Sequence, residues 1–358
     1  MSIKKIAKEA GVSTATVSRV LNNPGYKCSS EELRERIWKI ARELNYMPNE
    51  AARNLKKGIT DTSQKVWYLD VLMTRMGNLE TDPFFSELLR VIESEIHRQG
   101  CILMHIFHQP LFSNDRKCRT ENIDKVIAQM EPDGDIRSDG LIIIGKCNDN
   151  VLKKLSAKYK SIVSVNRNST NYLVDEVICD GKRIAAMAVE YLIGLGHRKI
   201  GYVGDCHNES RYKGYQDTLF QYGIDIDISF VIEAEHTEAE GYAVMERLIQ
   251  RGDAPTAIYC ANDMIAIGML KCLNKYKNRY YVPSIISSDD IEEAQYTRPM
   301  LTTVRIPKEE MGKFALYLLI DRLGGGHKGI VRTELEGKLM IRESCTLVEN
   351  ANRMEYYI

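Results

Sequence analysis

From Val66 onward, short runs of aliphatic and β-branched residues alternate with amphipathic stretches of helical period. That alternation confines this part of the chain to parallel α/β sheets rather than a sandwich. A first series of strands and helices runs through 66–73, a helix around 84–98, 102–107, the segment 122–130, 141–144, a helix at 151–159 and 162–165. A second begins with a helix near 183–195 and continues through 200–203, 211–222, 229–232, 239–251, 257–260, 265–276 and 282–286. Each series makes one doubly wound lobe. Two lobes in tandem leave a cleft facing the carboxyl ends of their strands, where such sheets hold small ligands.

At 358 residues the chain exceeds what one hydrophobic core organises, and residues 1–58 follow a different rule. Ile3, Ile6, Ala7 and Ala10 recur at helical spacing, and Gly11 stops that helix. Ser13 is placed to cap a second helix, with Val17, Val20 and Leu21 as its buried stripe and Thr14, Ala15, Ser18 and Arg19 directed outward. Asn22-Asn23-Pro24-Gly25 ends it. Two short helices joined by a glycine turn form a helix-turn-helix, whose second helix fits the major groove of DNA. A third helix starts at the capping box Ser29-Ser30-Glu31-Glu32. It carries Leu33, Ile37, Ile40, Ala41 and Leu44 on its core face, with Trp38 packed there too, and ends near Pro48. An ordinary solvated bundle is the alternative, and charge argues against it. Residues 1–60 hold 12 Lys and Arg against 6 Glu and no Asp, leaving 37 basic and 43 acidic residues beyond, so a neutral chain has a basic head on an acidic body. A polyanion partner for the head alone follows.

The run Ile3-Lys4-Lys5-Ile6-Ala7, followed by Gly11-Val12-Ser13-Thr14-Ala15-Thr16-Val17-Ser18-Arg19-Val20-Leu21-Asn22, closely resembles the head of the lac repressor and galactose repressor family. Gly196-His197-Arg198-Lys199-Ile200-Gly201, Ala261-Asn262-Asp263 and Leu301-Thr302-Thr303-Val304 are similar to signatures of that family's body, whose layout is that of periplasmic sugar-binding proteins. The resemblance implies an all-α helix-turn-helix head joined by a hinge helix to an α/β core of two doubly wound lobes. It sets a DNA-binding domain at 1–47, a hinge helix and linker at 48–60, a two-lobed effector and dimerisation domain at 61–345, and a tail at 346–358.

Carried over by position, Thr14, Ala15 and Arg19 face base edges, while Ser13, Thr16, Ser18 and Asn22 fix the helix against phosphates. Arg19 reads a guanine through a paired hydrogen bond, worth ~1–3 kcal/mol of discrimination. Residues 49–58, too short for a stable helix alone, pair with the dimer mate in the minor groove, where Leu55 wedges between base pairs, flanked by Asn54 and Lys56. Simple packing is the other reading of Leu55. The effector contacts are Phe84 and Phe85, Asn166, Arg211, His236, Asn262 and Asp289. Carboxylate, amide and guanidinium groups fork onto adjacent hydroxyls, and aromatic faces cover the C–H surface of a sugar ring. Rival readings are a surface ion pair for Arg211 and Asp289, loop capping for Asn166 and Asn262, and core packing for His236 and the two phenylalanines.

The sequence departs from the family at Ser287-Ser288, where a glycine and an aromatic residue commonly precede the aspartate, and in a longer, charged connection at 109–139. That connection either alters a lobe edge or is flexible. Asp82-Pro83-Phe84-Phe85, Ile143-Ile144-Gly145-Lys146 and Ile285-Ile286-Ser287 look like the branch governing galactose or β-galactoside use. The implied protein is a transcriptional regulator, a repressor of carbohydrate-use genes, that binds a double-stranded, pseudo-palindromic operator as a homodimer under control of a small carbohydrate. A sugar-responsive activator or a co-repressed regulator are the variants. No sustained heptads follow Arg342, so a dimer is expected rather than a tetramer.

Other classes fare worse. Gly140-Leu141-Ile142-Ile143-Ile144-Gly145-Lys146-Cys147 nearly spells a phosphate-binding loop, but four bulky apolar residues make a buried strand and Cys147 replaces the metal-binding hydroxyl. His105 and His108 stand three apart on a strand pattern and point to opposite faces. Nine cysteines show no metal-ligand or disulfide spacing. No catalytic residue, metal or cofactor is expected, and an enzyme or a plain sugar-binding protein is the weaker alternative. No apolar run nears the ~18 residues that cross a bilayer, so no membrane partner and a cytoplasmic location are expected.

Overall fold

In this computed structural model the structure describes residues 3–22, 30–43, 66–75, 82–113, 117–130, 137–166, 168–207, 209–276 and 281–350. The chain divides into two compact units, Met1–Lys65 and Val66–Ile358.

In the first unit α1 (Ile3–Ala10), α2 (Thr14–Asn22) and α3 (Glu31–Glu43) enclose a small core of Ile6, Ala7, Ala10, Val17, Val20 and Ile37. Gly11 adopts φ +67°, a left-handed conformation that costs a side-chain-bearing residue energy, and lets Val12 N–H reach the Ala7 carbonyl at 3.0 Å. Ser13 Oγ then accepts from Thr16 N–H at 3.1 Å, so the expected cap of α2 is present. Ser30 Oγ caps α3 through Leu33 N–H at 3.2 Å. Arg36 Nη2 donates to the Ala10 carbonyl at 2.9 Å, which ties α3 to the end of α1. Residues 44–65, with the hinge segment and Asn54, Leu55 and Lys56, lie outside the described residues.

The second unit begins with β1 (Tyr68–Met73), α4 (Pro83–Arg98) and β2 (Ile102–His108). There follow α5 (Ile123–Ala128), β3 (Gly140–Ile144), α6 (Asp149–Ser156), β4 (Ser161–Asn166) and β5 (Asp175–Ile178). The chain continues through α7 (Gly181–Gly194), β6 (Ile200–Gly204), α8 (Ser210–Gln221), β7 (Val231–Glu233), α9 (Glu238–Ile249) and β8 (Ala257–Cys260). It ends with α10 (Asp263–Tyr276), β9 (Ser284–Asp289), β10 (Thr302–Arg305), α11 (Lys308–Leu323), β11 (Arg332–Glu334) and β12 (Lys338–Met340). One sheet has the order β2-β1-β3-β4-β5-β11 and is parallel throughout. The other, β7-β6-β8-β9-β10-β12, is parallel except for β12. The expected two doubly wound lobes are therefore present, and Gly140–Ile144 is a fully buried strand, not a phosphate loop.

The tandem reading needs correction, because the lobes interleave. After β10 the chain returns to the first lobe, where α11 packs on α4, β3, β4 and β5 and β11 joins β5 at the sheet edge. It then crosses back as β12 beside β10. Three connections, at 179–180, 306–307 and 335–337, thus link the lobes. Local pattern marks a helix or strand but does not say which sheet has an unfilled edge or face, and that vacancy decides the crossing.

Packing explains two further features. The described parts of the 109–139 connection put Phe112, Cys118, Ile123, Ile127 and Met130 against Leu72, Leu141 and Ile143, covering one face of the first sheet. In the second lobe α9 and α10 touch through glycines: a Cβ on Gly241 would stand 2.0 Å from the Ile265 carbonyl oxygen, and one on Gly268 would stand 2.0 Å from that of Glu238. His197 of the body signature is structural. Its fully buried ring meets Thr256 Oγ1 at 2.9 Å, Ser284 Oγ at 3.1 Å and the Thr346 carbonyl at 3.0 Å, joining β9 to the C-terminal segment.

Candidate functional site

The strand ends of the two lobes meet at a small inner cavity. From the first lobe come Phe84, Phe85 and Leu88 of α4, Val165 and Asn166 of β4, Met311 of α11, and Arg75 and Asn168 from loops. From the second come Glu209 and Arg211. Its free space is about 10 Å³, room for one water, so a larger ligand enters only if the walls move. Asn166 and Asn168 also line an open groove of about 460 Å³ that carries Lys146, Asp180, Lys182 and Lys213.

Local chemistry positions the aromatic wall. Asp82 Oδ1 accepts from Phe84 N–H at 3.0 Å and Pro83 opens the helix, so the first turn of α4 is fixed with both phenylalanines inward. Their rings stand edge to face with centroids 5.2 Å apart. Lys308, at the start of α11, lies 5.6 Å from the Phe84 ring centre, pairs with Glu87 at 2.6 Å and donates to the Asp290 carbonyl at 3.1 Å. It bridges α4 of the first lobe and the end of β9 in the second.

The charged wall is built around Arg211, which is 1 % exposed. Its Nε donates to Glu209 Oε1 at 3.0 Å and its Nη1 to the Ala261 carbonyl, two of the five guanidinium N–H donors. Glu209 also caps α8, and its Oε2 stands 3.7 Å from Arg75 Nη2. Burial pushes the Glu209 carboxyl up, but the charge and hydrogen bond of Arg211, with His236 and Arg75, outweigh burial and hold it well below the usual carboxylate range. Burial acts against the Arg211 cation, yet Glu209 and Asp289 hold it charged. Tyr202 and Tyr259, fully buried beneath, complete the setting.

Behind this pair, three separate sequence motifs converge on one carboxylate. Asp263 Oδ1 accepts from Ser287 Oγ at 2.5 Å and Thr303 Oγ1 at 2.6 Å, and its Oδ2 accepts from Ile291 N–H at 2.8 Å. Burial and neighbouring Asp289 together raise its pKa to about 7, although those hydrogen bonds work the other way. Asp289 ends β9 with φ +129° and Asp290 follows at +50°. Such backbone costs roughly 1–3 kcal/mol per residue and collects at functional sites. Asp290 is clamped by Arg305 at 2.6 Å and Arg342 at 2.5 Å.

Of the seven residues expected to touch an effector, the structure brings Phe84, Phe85, Asn166 and Arg211 together on one cavity. Asn262 is buried and caps α10: its Oδ1 accepts from Ile265 N–H at 3.1 Å and its Nδ2 donates to the His236 carbonyl at 3.3 Å. His236 and Asp289 are not in the cavity lining, yet their charges act on Glu209 and Arg211 respectively. Sequence reasoning missed Glu209, Arg75, Asn168 and Lys308. Only Glu209 left a signal, an acid two residues before the arginine at a helix start. His105, weighed as a metal ligand, instead meets Asp70 Oδ1 at 3.0 Å.

On the head, Thr14 and Arg19 are exposed on α2, and the Ser13 and Thr16 hydroxyls stand 2.9 Å apart. The side chains of Ala15, Ser18 and Asn22 lie outside the described residues.

Residues 2–49 match the model for bacterial regulatory proteins of the lacI family, and residues 189–345 match that of the periplasmic binding protein-like domain. The HTH-type transcriptional repressor MelR of Bacillus subtilis is 31% identical over 357 residues, which cover 96% of this chain and 97% of the relative. The chain belongs to the lacI family. This lacI-family regulator is also 29% identical to the HTH-type transcriptional repressor PurR of Haemophilus influenzae, over 96% of the chain and 98% of that repressor. Its fold is that of a CelR–cellobiose complex, with a TM-score of 0.64 and 24% identity over 96% of this chain and 100% of that one. A lac repressor dimer bound to operator gives a TM-score of 0.64 and 22% identity, over 97% and 99%. The lacI-family chain is thus a DNA-binding transcriptional regulator with a ligand-binding body, and its named relatives are repressors rather than enzymes. Among the described residues no helix is long and apolar enough to cross a membrane.

Proposed function

We propose that this regulator acts in the cytoplasm as a repressor of carbohydrate-use genes. It binds a pseudo-palindromic operator as a C2 homodimer and releases it when a small sugar, a galactoside first among candidates, fills the cleft between the lobes. The observation that carries this reading is the pairing of a two-phenylalanine wall with a buried guanidinium and two amides across one cavity. That combination suits the apolar faces and the rim hydroxyls of a sugar ring. The similar folds solved with cellobiose and with an operator support it. In this reading residues 1–47 bind DNA, 48–60 form the hinge, 61–345 bind effector and dimerise, and the chemistry needs no catalytic group.

Thr14, Ala15 and Arg19 then read bases, Ser13, Thr16, Ser18 and Asn22 grip phosphates, and Leu55, flanked by Asn54 and Lys56, wedges between base pairs in the minor groove. Asn166, Arg211 and the phenylalanines touch the sugar directly. Asn262, His236 and Asp289 line the opened cleft behind them. Sugar and operator are linked, so each weakens the other by one common factor, typically ~1–3 kcal/mol. The test is a crossed pair on the full chain, using an operator selected from randomised duplexes. Arg19→Ala is expected to lose operator affinity and keep the sugar-induced rise in Tm, while Asp289→Ala loses the sugar response and keeps operator binding. The reverse pattern would overturn the assignment.

A further inference from the structure

We propose that Glu209 is a specificity residue: its carboxylate, locked on Arg211 at the inner end of the cleft, selects an uncharged polyhydroxyl ligand and rejects a phosphorylated or carboxylated one. This rests on reading the cleft as the carbohydrate site.

The argument is one of charge balance in a dry space. The cavity is lined by two guanidiniums, Arg75 and Arg211, and one carboxylate, Glu209. Asp289, whose charge acts on Arg211 from behind, supplies a second. Glu209 thus offsets one of the two guanidiniums of the lining, and Asp289 acts on Arg211 from outside it, so little uncompensated positive charge is left for an anion to answer. Glu209 is 3 % exposed, and both its oxygens are engaged, Oε1 with Arg211 Nε at 3.0 Å and Oε2 with Arg75 Nη2 at 3.7 Å. An anionic ligand must either evict this carboxylate from its arginine or lie beside it, and like charges a few ångströms apart in a water-poor site strongly disfavour each other. A hydroxyl faces no such conflict. It donates to the carboxylate and accepts from a guanidinium at once, and the remaining polar lining, Asn166 and Asn168, offers neutral donors and acceptors of the same kind.

The experiment is calorimetric titration, with Tm measured in parallel, on the full-length protein. The probes are galactose, lactose, melibiose, cellobiose and ribose, set against galactose 1-phosphate, glucose 6-phosphate, ribose 5-phosphate and inorganic phosphate. Wild type is expected to bind at least one neutral sugar at least tenfold more tightly than any phosphate ester. Glu209→Gln removes the charge with little change of shape and is expected to shift the ratio of the two classes at least tenfold toward the esters. Glu209→Asp keeps the charge and is expected to keep the neutral preference, so it serves if the glutamine variant does not fold. Wild type binding an ester more tightly than every neutral sugar overturns the role of Glu209 but leaves the carbohydrate reading standing. A Glu209→Gln protein that folds with an unchanged ratio overturns it as well. No binding by any sugar of either class removes the carbohydrate reading and this inference with it.

Discussion

The two lobes share one strand order yet bring different chemistry to the cleft between them. The first offers mostly rings, aliphatic side chains and amides, Phe84, Phe85, Leu88, Asn166 and Asn168, with Arg75 as its one charged lining residue. The second offers buried ions, with Glu209 on Arg211, Asp263 beside Asp289, and Asp290 between Arg305 and Arg342. The topology is not what differs. What differs is the residue type that follows each strand, so a duplicated architecture supplies a scaffold on which the two halves of a recognition site diverge. The ions of the second lobe are poor value as stabilisers, since desolvation of a buried pair offsets most of its attraction. Their strained and densely bonded setting suits holding a ligand-facing group in place.

The comparison is sharpest at Arg211. Arg211→Met keeps the bulk and takes from the buried Glu209 carboxylate its closest cation, leaving the more distant Arg75 at 3.7 Å, so a loss of roughly 3–5 kcal/mol is expected in denaturant unfolding. A Glu209→Gln and Arg211→Met double variant should recover most of that loss. A single variant as stable as wild type would break the contrast between the lobes.

Two buried aspartates, one in each lobe, should also answer acid in opposite ways. Asp263 in the second lobe titrates near 7, above an ordinary aspartate, and therefore binds its proton more tightly when folded. Its contribution favours the fold at low pH and is lost as pH rises from about 4, the unfolded value, through about 7. Asp175 in the first lobe is also pushed up by burial, but Arg322, the Val331 amide and His327 together bring it below the usual range. Its contribution is present above about 4 and disappears as pH falls through its lowered folded value. Hydrogen exchange followed by lobe between pH 4 and 7 should show amide protection in the second lobe decreasing with pH while that around β5 holds. Asp263→Asn should flatten the first trend alone.

Smaller effects come from the first lobe. Phe85→Leu is expected to cost about 1 kcal/mol of stability and to weaken sugar binding, separating its packing from its stacking role. Smallest is His327→Gln. The ring bridges Asp321 at 2.6 Å and Asp175 at 2.9 Å, and these partners raise its pKa, so its support is present in acid and fades as pH rises through the folded value. One half-exposed partner keeps the loss to about 0.5 kcal/mol, read from Tm at pH 6 against pH 8.

Local features were legible in the residues alone. Ser13 caps α2 because a hydroxyl three residues from a free N–H needs no distant help. Gly140–Ile144 could only be a buried strand, and Phe84 and Phe85 follow directly from the Asp82-Pro83 helix start. The alternation of elements gave two lobes, and the head and body signatures gave the family. Asn262 shows the limit: its residue type does not say that its amide meets Ile265 N–H and the His236 carbonyl, and only the packed chain brings those groups to it. Likewise Glu209, Arg75 and Arg211 form one charged unit across 136 positions of chain, and Asp263 gathers Ser287 and Thr303 from different strands. Three interlobe crossings and the return of α11 to the first sheet were decided in the same way. Side-chain pairing over long separations depends on which faces remain to be covered once each element exists, and that competition is settled only when the whole chain packs.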